Sequence, residues 1–140
     1  MPFFFFGTLM DRDVLEIVLG RPVAKDELAP ARLRGYRRVR TAARPYPMLK
    51  LDPDGVVEGI LLMEPSSRDE ARILHFEDEE YVEGRTTVHS ASGRALEARV
   101  FFALAGMGET EEPWAPDSWA SRHKGAFLRQ CHQWMRDCPT

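Results

Sequence analysis

The chain has 140 residues, of which 44% are hydrophobic and 29% charged, and its formal net charge is −3. This composition is typical of one globular domain and argues against a disordered or fibrous chain. The acidic balance argues against a nucleic-acid binder, which carries a basic surplus, and no apolar run is long enough to cross a bilayer. We therefore expect a cytoplasmic protein without a nucleic-acid or membrane partner.

The chain opens with four phenylalanines, Phe3 to Phe6, which stop at Gly7. A short run of this kind predicts a strand that is buried on both faces, over residues Pro2 to Phe6. Apolar residues at helical spacing then predict a helix from about Asp11 to Leu19, capped by Thr8 or Asp11.

The middle of the chain is rich in strand and turn patterns. Partial alternation over Leu28 to Arg40 predicts a long strand, and its basic residues indicate either a small anion-binding patch or a wet strand face. Turn chemistry at Asp52 to Gly55 predicts a junction between two strands. A second helix is predicted from Ser66 or Ser67 to an acidic cluster that begins at Glu77, and Ser67 to Glu70 has the spacing of a capping box.

The C-terminal part contains two predicted strands around a turn at Ser92-Gly93, then a loop from Gly106 to Pro116 and a helix from about Asp117 to Arg136. Strands that follow one another through short turns predict an α+β fold, with a mixed, mostly antiparallel curved sheet or small β-barrel flanked by helices. We expect residues 1–140 to form a single domain with a C-terminal helical extension at about 113–138.

The turn after the phenylalanines is the first candidate for chemistry. A strand that runs through Gly7 and Thr8 into a helix leaves backbone N–H groups unpaired, and with the helix dipole they can seat a carboxylate or phosphate. The alternative is a tight turn before a capped helix, with no ligand.

Glu77 is the second candidate, because it follows Phe76 at the end of an amphipathic helix, at the edge of the core. Partial burial beside Asp78, Glu79 and Glu80 would raise the pKa of Glu77 toward the range that is useful for proton transfer. The alternative is a solvated run of surface carboxylates.

These features occur together with Tyr46-Pro47, the segment Val56 to Gly59 and the stretch LHFEDEEY. Their order over Pro2 to Leu104 resembles the gamma-glutamylcyclotransferase-like family, of the gamma-glutamylamine or gamma-glutamyl cyclotransferase type. In that family a turn with the sequence Y-G-T/S-L cradles the substrate, and a glutamate four residues before a tyrosine is the catalytic acid and base.

The resemblance assigns the substrate cradle to Phe6, Gly7, Thr8 and Leu9. It implies that Glu77 is the catalytic carboxylate and that Tyr81 is the family tyrosine, also in contact with substrate. Two positions depart from the family pattern: Phe6 stands in place of a tyrosine, and Arg85 lies further from Tyr81 than the family's basic residue.

The resemblance implies intramolecular cyclisation of a gamma-glutamyl amine or peptide with release of 5-oxoproline, without a metal or organic cofactor. The alternative is a non-catalytic module that holds a small carboxylate in the same pocket, which the phenylalanine at position 6 favours. The four histidines and two cysteines fit no zinc pattern, so we expect no metal and reduced thiols. Tryptophans near the C-terminus leave self-association as a homodimer open.

Overall fold

The computed structural model describes residues 1–41, 47–77, 81–103 and 109–138. The strands in these ranges are β1 (Phe3–Phe5), β2 (Leu28–Thr41), β3 (Pro47–Leu62), β4 (Tyr81–Ser90), β5 (Ala95–Ala103) and β6 (Glu109–Pro113). The helices are α1 (Arg12–Leu19), α2 (Ser67–Glu77), α3 (Pro116–Arg122) and α4 (Lys124–Met135), with short 3-10 turns at Thr8–Met10 and Lys25–Glu27. No helix within the described ranges is long and apolar enough to cross a membrane.

Five strands close into a small barrel in the order β3, β1, β5, β4, β2 and back to β3. Only the pairing of β1 with β5 is parallel among these described strands; the others are antiparallel. Strand β6 pairs with β2 outside this closed ring. The predicted α+β class, with a mostly antiparallel barrel flanked by helices, is confirmed.

Strand β1 is buried on both faces, as its sequence predicts, because successive side chains of a strand point to opposite sides. Phe4 and Phe6 pack with side chains of the other strands inside the barrel. Phe3 and Phe5 belong to a second cluster on the outer side, which includes residues of all four helices. The phenylalanine run therefore joins the barrel interior to the helical layer.

The first helix forms largely as its sequence predicts. The Asp11 carboxylate caps α1 by accepting hydrogen bonds from the N–H groups of Asp13 and Val14, and Gly20 ends the helix in the left-handed region at φ 69°. A 3-10 turn over Thr8–Met10 separates this helix from the strand. Of the two predicted caps, Asp11 is the observed one.

Helix α2 begins with a capping box formed by Ser66 and Asp69, one residue before the predicted pair of Ser67 and Glu70. Each side chain accepts a hydrogen bond from the other residue's N–H group, at 3.0 Å. The same helix caps the end of α1, since Arg72 donates to the Val18 carbonyl at 2.6 Å and Arg68 donates to the Leu19 carbonyl at 2.8 Å. Cations at these carbonyls stabilise the negative end of α1 and fix α2 beside it.

Arg21 connects this helix pair to the start of β2. Its guanidinium donates to both carboxylate oxygens of Asp69, at 3.1 and 2.9 Å, and to both of Glu27, at 3.1 and 2.8 Å. Burial alone would raise the pKa of Asp69, but the hydrogen bonds from Arg21 and Ser66 hold it below its usual value. The pKa of Glu27 is lowered by Arg21 and by the Ala24 N–H group, and the pKa of Arg21 is raised.

Two predicted elements are wrong. Asp52 to Gly55 is not a junction between two strands, because β3 continues through it and the register with β2 shifts between Arg34 and Tyr36. The Asp52 carboxylate accepts from the Asp54 N–H group at 3.1 Å, so the turn residues form a local bulge. The predicted loop before Pro116 contains β6 in its described part, since pairing with β2 overrides the local sequence.

The predicted C-terminal helix is divided into α3 and α4, which meet at His123. The basic stretch lies within strand β2, where Leu33 and Val39 are buried. Arg32 lies 3.5 Å from Glu58 and Arg40 lies 3.1 Å from Glu112. These ion pairs favour a strand with one solvent-exposed face over an anion-binding patch.

Replacing Arg21 with glutamine tests the ion-pair cluster. We expect the free energy of unfolding at pH 7 to fall by about 2 kcal/mol, because Asp69, whose side chain is 2% exposed, keeps its charge without a cation. The pKa values of Asp69 and Glu27 are lower in the folded than in the unfolded protein, so both carboxylates stabilise the fold above pH ~4. This stabilisation is lost as the pH falls through their pKa values in the folded protein.

Urea denaturation between pH 6 and 3 should therefore show a smaller decrease in the free energy of unfolding for R21Q than for the wild type. The exposed R94Q is the control, and equal pH dependence in wild type and R21Q would contradict the assignment.

Gly59 on β3 tests the close packing around β1. A Cβ atom there would lie 2.4 Å from the Phe5 carbonyl oxygen and 2.5 Å from the Phe4 ring, so we expect G59A to lower the free energy of unfolding by about 3 kcal/mol. Gly125 in α4 offers the matched control, since its nearest neighbour would be 4.0 Å away and alanine favours a helix by about 1 kcal/mol. Chemical denaturation measures the free energy of unfolding of G59A and G125A. Equal changes in the two variants would contradict the close packing around β1.

Candidate active site

A cavity of about 730 Å³ lies at the point where β1 ends. Its walls come from the end of β1 and the turn that follows, the end of α2, the start of β4 and one face of α4. The lining residues are Phe4, Phe5, Phe6, Gly7, Thr8, Leu9, Pro47, His75, Phe76, Glu77, Tyr81, Phe101, Phe127, Gln130, Gln133, Trp134 and Asp137.

The turn over Gly7 to Met10 approaches the neighbouring strand closely. A Cβ atom on Gly7 would lie 3.0 Å from the ring of Pro47, so glycine lets the two segments meet. The Gly7 carbonyl accepts from the Met10 N–H group at 3.0 Å, which closes the 3-10 turn. Within the described part of the chain, no hydrogen bond is donated by the N–H groups of Thr8 or Leu9. The turn therefore presents backbone donors beside the cavity.

The positive end of α1 does not supply these donors, contrary to the sequence-based expectation. The helix starts at Arg12, after the 3-10 turn, and its first N–H groups bind the carboxylate of Asp11. Lys124 of α4 lies 2.9 Å from Asp11 and 2.8 Å from Asp13, so this end of α1 is occupied by a salt bridge. Any anion held here must use the turn itself.

Arg38 supports the turn from the barrel side. Its guanidinium donates to the Phe6 carbonyl at 2.9 Å and to the Met10 sulfur at 3.3 Å, which spans the turn at both ends. It also lies 5.8 Å from the centre of the Trp114 ring. Burial lowers the pKa of Arg38, although the charge of Glu58 opposes this shift. The sequence showed Arg38 only as one of several basic residues on a strand, and nothing in its spacing marked it out.

Glu77 is the last residue of α2, and its half-buried side chain faces the same cavity as Gly7, Thr8 and Leu9. Tyr81, the first residue of β4, also lines this cavity, and its hydroxyl donates to the Pro47 carbonyl at 3.0 Å. The structure thus brings together the positions that the sequence separates by about 70 residues. Asp78, Glu79, Glu80 and Tyr46 lie outside the described residues.

Phe6 lines the cavity and is almost fully buried among side chains of the barrel interior. The other side of the cavity was missed from sequence. Gln130, Gln133 and Trp134 of α4 lie there, together with Asp137 in the turn after this helix.

The remaining titratable candidates do not form a second centre among the described residues, where no group of three or more metal-ligating side chains occurs. Cys131 and Cys138 are buried and unbridged, and burial raises the pKa of Cys131 to about 12. His75 lines the cavity and donates from Nε2 to the Trp134 carbonyl at 3.1 Å, since a carbonyl can only accept.

We compared the chain with known protein families and with solved structures. The sequence profile of the family described as gamma-glutamyl cyclotransferase, AIG2-like, matches residues 3–121. The chain belongs to this family, as its sequence motifs predict. A search of curated proteins finds no match.

Solved structures share the fold. A protein of Arabidopsis thaliana with a known solution structure is 22% identical, with a TM-score of 0.68, and the alignment covers 99% of this chain and 94% of that one. A structure titled gamma-glutamyl cyclotransferase is 12% identical, with a TM-score of 0.58 and coverage of 99% and 88%. YkqA from Bacillus subtilis is 20% identical, with a TM-score of 0.63, and matches all of this chain over 55% of its own length. At such identities the likeness establishes the fold alone.

Replacing Arg38 with methionine tests its support of the turn. We expect the free energy of unfolding to fall by about 1–2 kcal/mol, because the Phe6 carbonyl loses a charged donor. Amide hydrogen exchange at residues 7–10 should become faster, while exchange in β4 and β5 stays close to the wild type. The exposed Arg34 on the same strand gives the control R34M. Unchanged exchange in the turn of R38M would show that Arg38 does not support it.

Proposed function

We propose that the protein is a gamma-glutamyl cyclotransferase that releases 5-oxoproline from a gamma-glutamyl amine or peptide, with Glu77 as the general acid and base. One observation carries the proposal: the Glu77 side chain and the turn over Gly7, Thr8 and Leu9 line a single cavity. The family assignment adds the chemistry, because it is a family of gamma-glutamyl cyclotransferases.

The reaction is a displacement within the substrate. The α-amino nitrogen attacks the γ-carbonyl carbon, a new C–N bond closes the five-membered lactam, and the C–N bond to the leaving amine breaks. One proton must leave the attacking ammonium, and one must reach the departing nitrogen. The enzyme therefore needs neither a nucleophile of its own nor a redox cofactor for this step.

The first contribution of the protein is to hold the substrate in a reactive conformation. Holding the glutamyl chain with its amine close to its γ-carbonyl supplies much of the acceleration of an intramolecular reaction. The aromatic side chains of Phe5, Phe6 and Phe101 form a rigid boundary on the barrel side of the cavity. Their burial prevents the walls from moving away from a folded substrate.

Proton transfer is the role of Glu77. Glu77 is the last residue of α2, is half-buried, and lines the cavity. A carboxylate of this kind accepts a proton from the substrate ammonium and returns it to the leaving nitrogen.

The turn supplies hydrogen-bond donors to the oxygen atoms of the substrate. The N–H groups of Thr8 and Leu9 stand beside the cavity and bind either the α-carboxylate or the γ-carbonyl as negative charge develops on it. Tyr81 holds Pro47 in place through its hydroxyl, which keeps the neighbouring wall fixed against Gly7.

The second candidate is a binding module without catalysis, in which the same cavity holds a small carboxylate. Phe6 favours it, because this cavity-lining residue lacks the hydroxyl that the family tyrosine would offer. A thermal-shift screen in which gamma-glutamyl compounds stabilise the protein and no 5-oxoproline forms would support this candidate over the enzyme.

The enzymatic proposal is tested with gamma-glutamyl-alanine, gamma-glutamyl-lysine and glutathione, assayed for 5-oxoproline. We expect Glu77→Gln to lower kcat by about 10²–10⁴-fold, because the amide cannot carry the proton, with little change in melting temperature. Glu83→Gln, an exposed substitution on β4, should keep wild-type turnover. Turnover by the glutamine variant at the wild-type rate would remove Glu77 from its role, and no product from any of the three substrates would count against the enzyme.

A further inference from the structure

We infer that the C-terminal helix α4 and the turn after it form the leaving-group side of the cavity and select substrates whose leaving group carries a positive charge. The inference rests on the proposed function and concerns the part of the substrate that the glutamyl cradle does not hold. The family match ends at residue 121, before α4 begins, so this wall lies outside the matched segment.

The lining residues of this wall follow a helical period. Gln130, Gln133 and Trp134 stand at positions i, i+3 and i+4 of α4, so they share one face, and Asp137 follows in the turn after the helix. All four are exposed, whereas Gly7 is half-buried, and Thr8 and Leu9, on the opposite wall, are buried. The cavity therefore has a buried end at the turn and a polar mouth at α4.

This arrangement orients the substrate. The reacting carbonyl must lie near Glu77 and the turn, and the glutamyl part fills the buried end. The amine released by the reaction must be able to leave, so it points to the mouth. The residues of α4 are then the ones that contact it.

The charge at the mouth favours a cation. Asp137 brings a carboxylate to the mouth, and no lysine or arginine is among the described residues that line the cavity. An ammonium group on the leaving amine is attracted to Asp137, whereas a carboxylate at the same position is repelled.

Trp134 adds a second element of cation recognition. Trp134 is 40% exposed and lines the cavity, so it is accessible to a cation at the mouth. Edge contacts with Phe76 and Phe127, at centroid distances of 6.1 and 6.0 Å, hold the ring in place. The hydrogen bond from His75 to the Trp134 carbonyl ties this part of α4 to α2 two residues before Glu77.

Three substrates of equal length separate charge from size. They are gamma-glutamyl amides of 1,4-diaminobutane, pentylamine and 5-aminopentanoate, whose leaving groups end in an ammonium, a methyl group and a carboxylate after four methylene groups. We expect kcat/KM to decrease in that order. The ratio of the first to the second should decrease as NaCl is added, because salt screens an exposed charge pair.

Two variants assign the preference to residues. D137N and W134L should each lower the ratio of kcat/KM for the ammonium substrate over the methyl substrate by about threefold, as expected for exposed ionic and cation–π contacts. The control D26N replaces an exposed aspartate that does not line the cavity and should keep the wild-type ratio. Melting temperatures check that each variant is folded.

The outcomes separate this inference from the proposed function. Turnover of all three substrates with no order by charge, or an unchanged ratio in both variants, would overturn the role of α4 and leave the cyclotransferase proposal standing. If no substrate is turned over, the proposed function fails, and calorimetry with free 1,4-diaminobutane decides recognition: binding that weakens in D137N and W134L supports it, and equal or absent binding overturns it.

Discussion

The burial of β1 on both faces is the constraint on which the rest of the structure depends. Four consecutive phenylalanines have side chains on opposite sides of one backbone, so the barrel interior and the helical layer must both close over the same strand. Gly59 on the neighbouring strand has to be without a side chain for this to happen. A strand held in this way ends at a fixed position, and so does the turn that follows it.

Electrostatic contacts bring the acidic residue to that turn. Arg68 and Arg72 bind the last carbonyls of α1, and Arg21 links Asp69 at the start of α2 to Glu27. These interactions set the position of α2, whose final residue is Glu77. Lys124 in turn sets the position of α4, because it binds Asp11 and Asp13 at the start of α1. The cavity walls are thus positioned by charged contacts outside the cavity.

The sequence predicted the parts of the site that depend on local pattern. The phenylalanine strand, the turn at Gly7, the first two helices and the position of Glu77 at a helix end follow from periodicity, capping and turn residues. Long-range pairing was beyond this reasoning: β6 forms because β2 offers an edge, and the residues at 52–55 bulge because β3 must continue beside β2. Arg38 and the α4 face were missed for the same reason, since a charged or polar surface pattern does not show which cavity it borders.

The three tryptophans of the chain differ in their surroundings in a way that has a practical use. Trp114 and Trp119 are buried in the helical layer, whereas Trp134 stands at the cavity mouth and is partly open to water. Selective excitation of tryptophan would therefore give an emission spectrum whose long-wavelength side comes from a single indole. The native protein carries its own optical reporter of what enters the cavity, without any label.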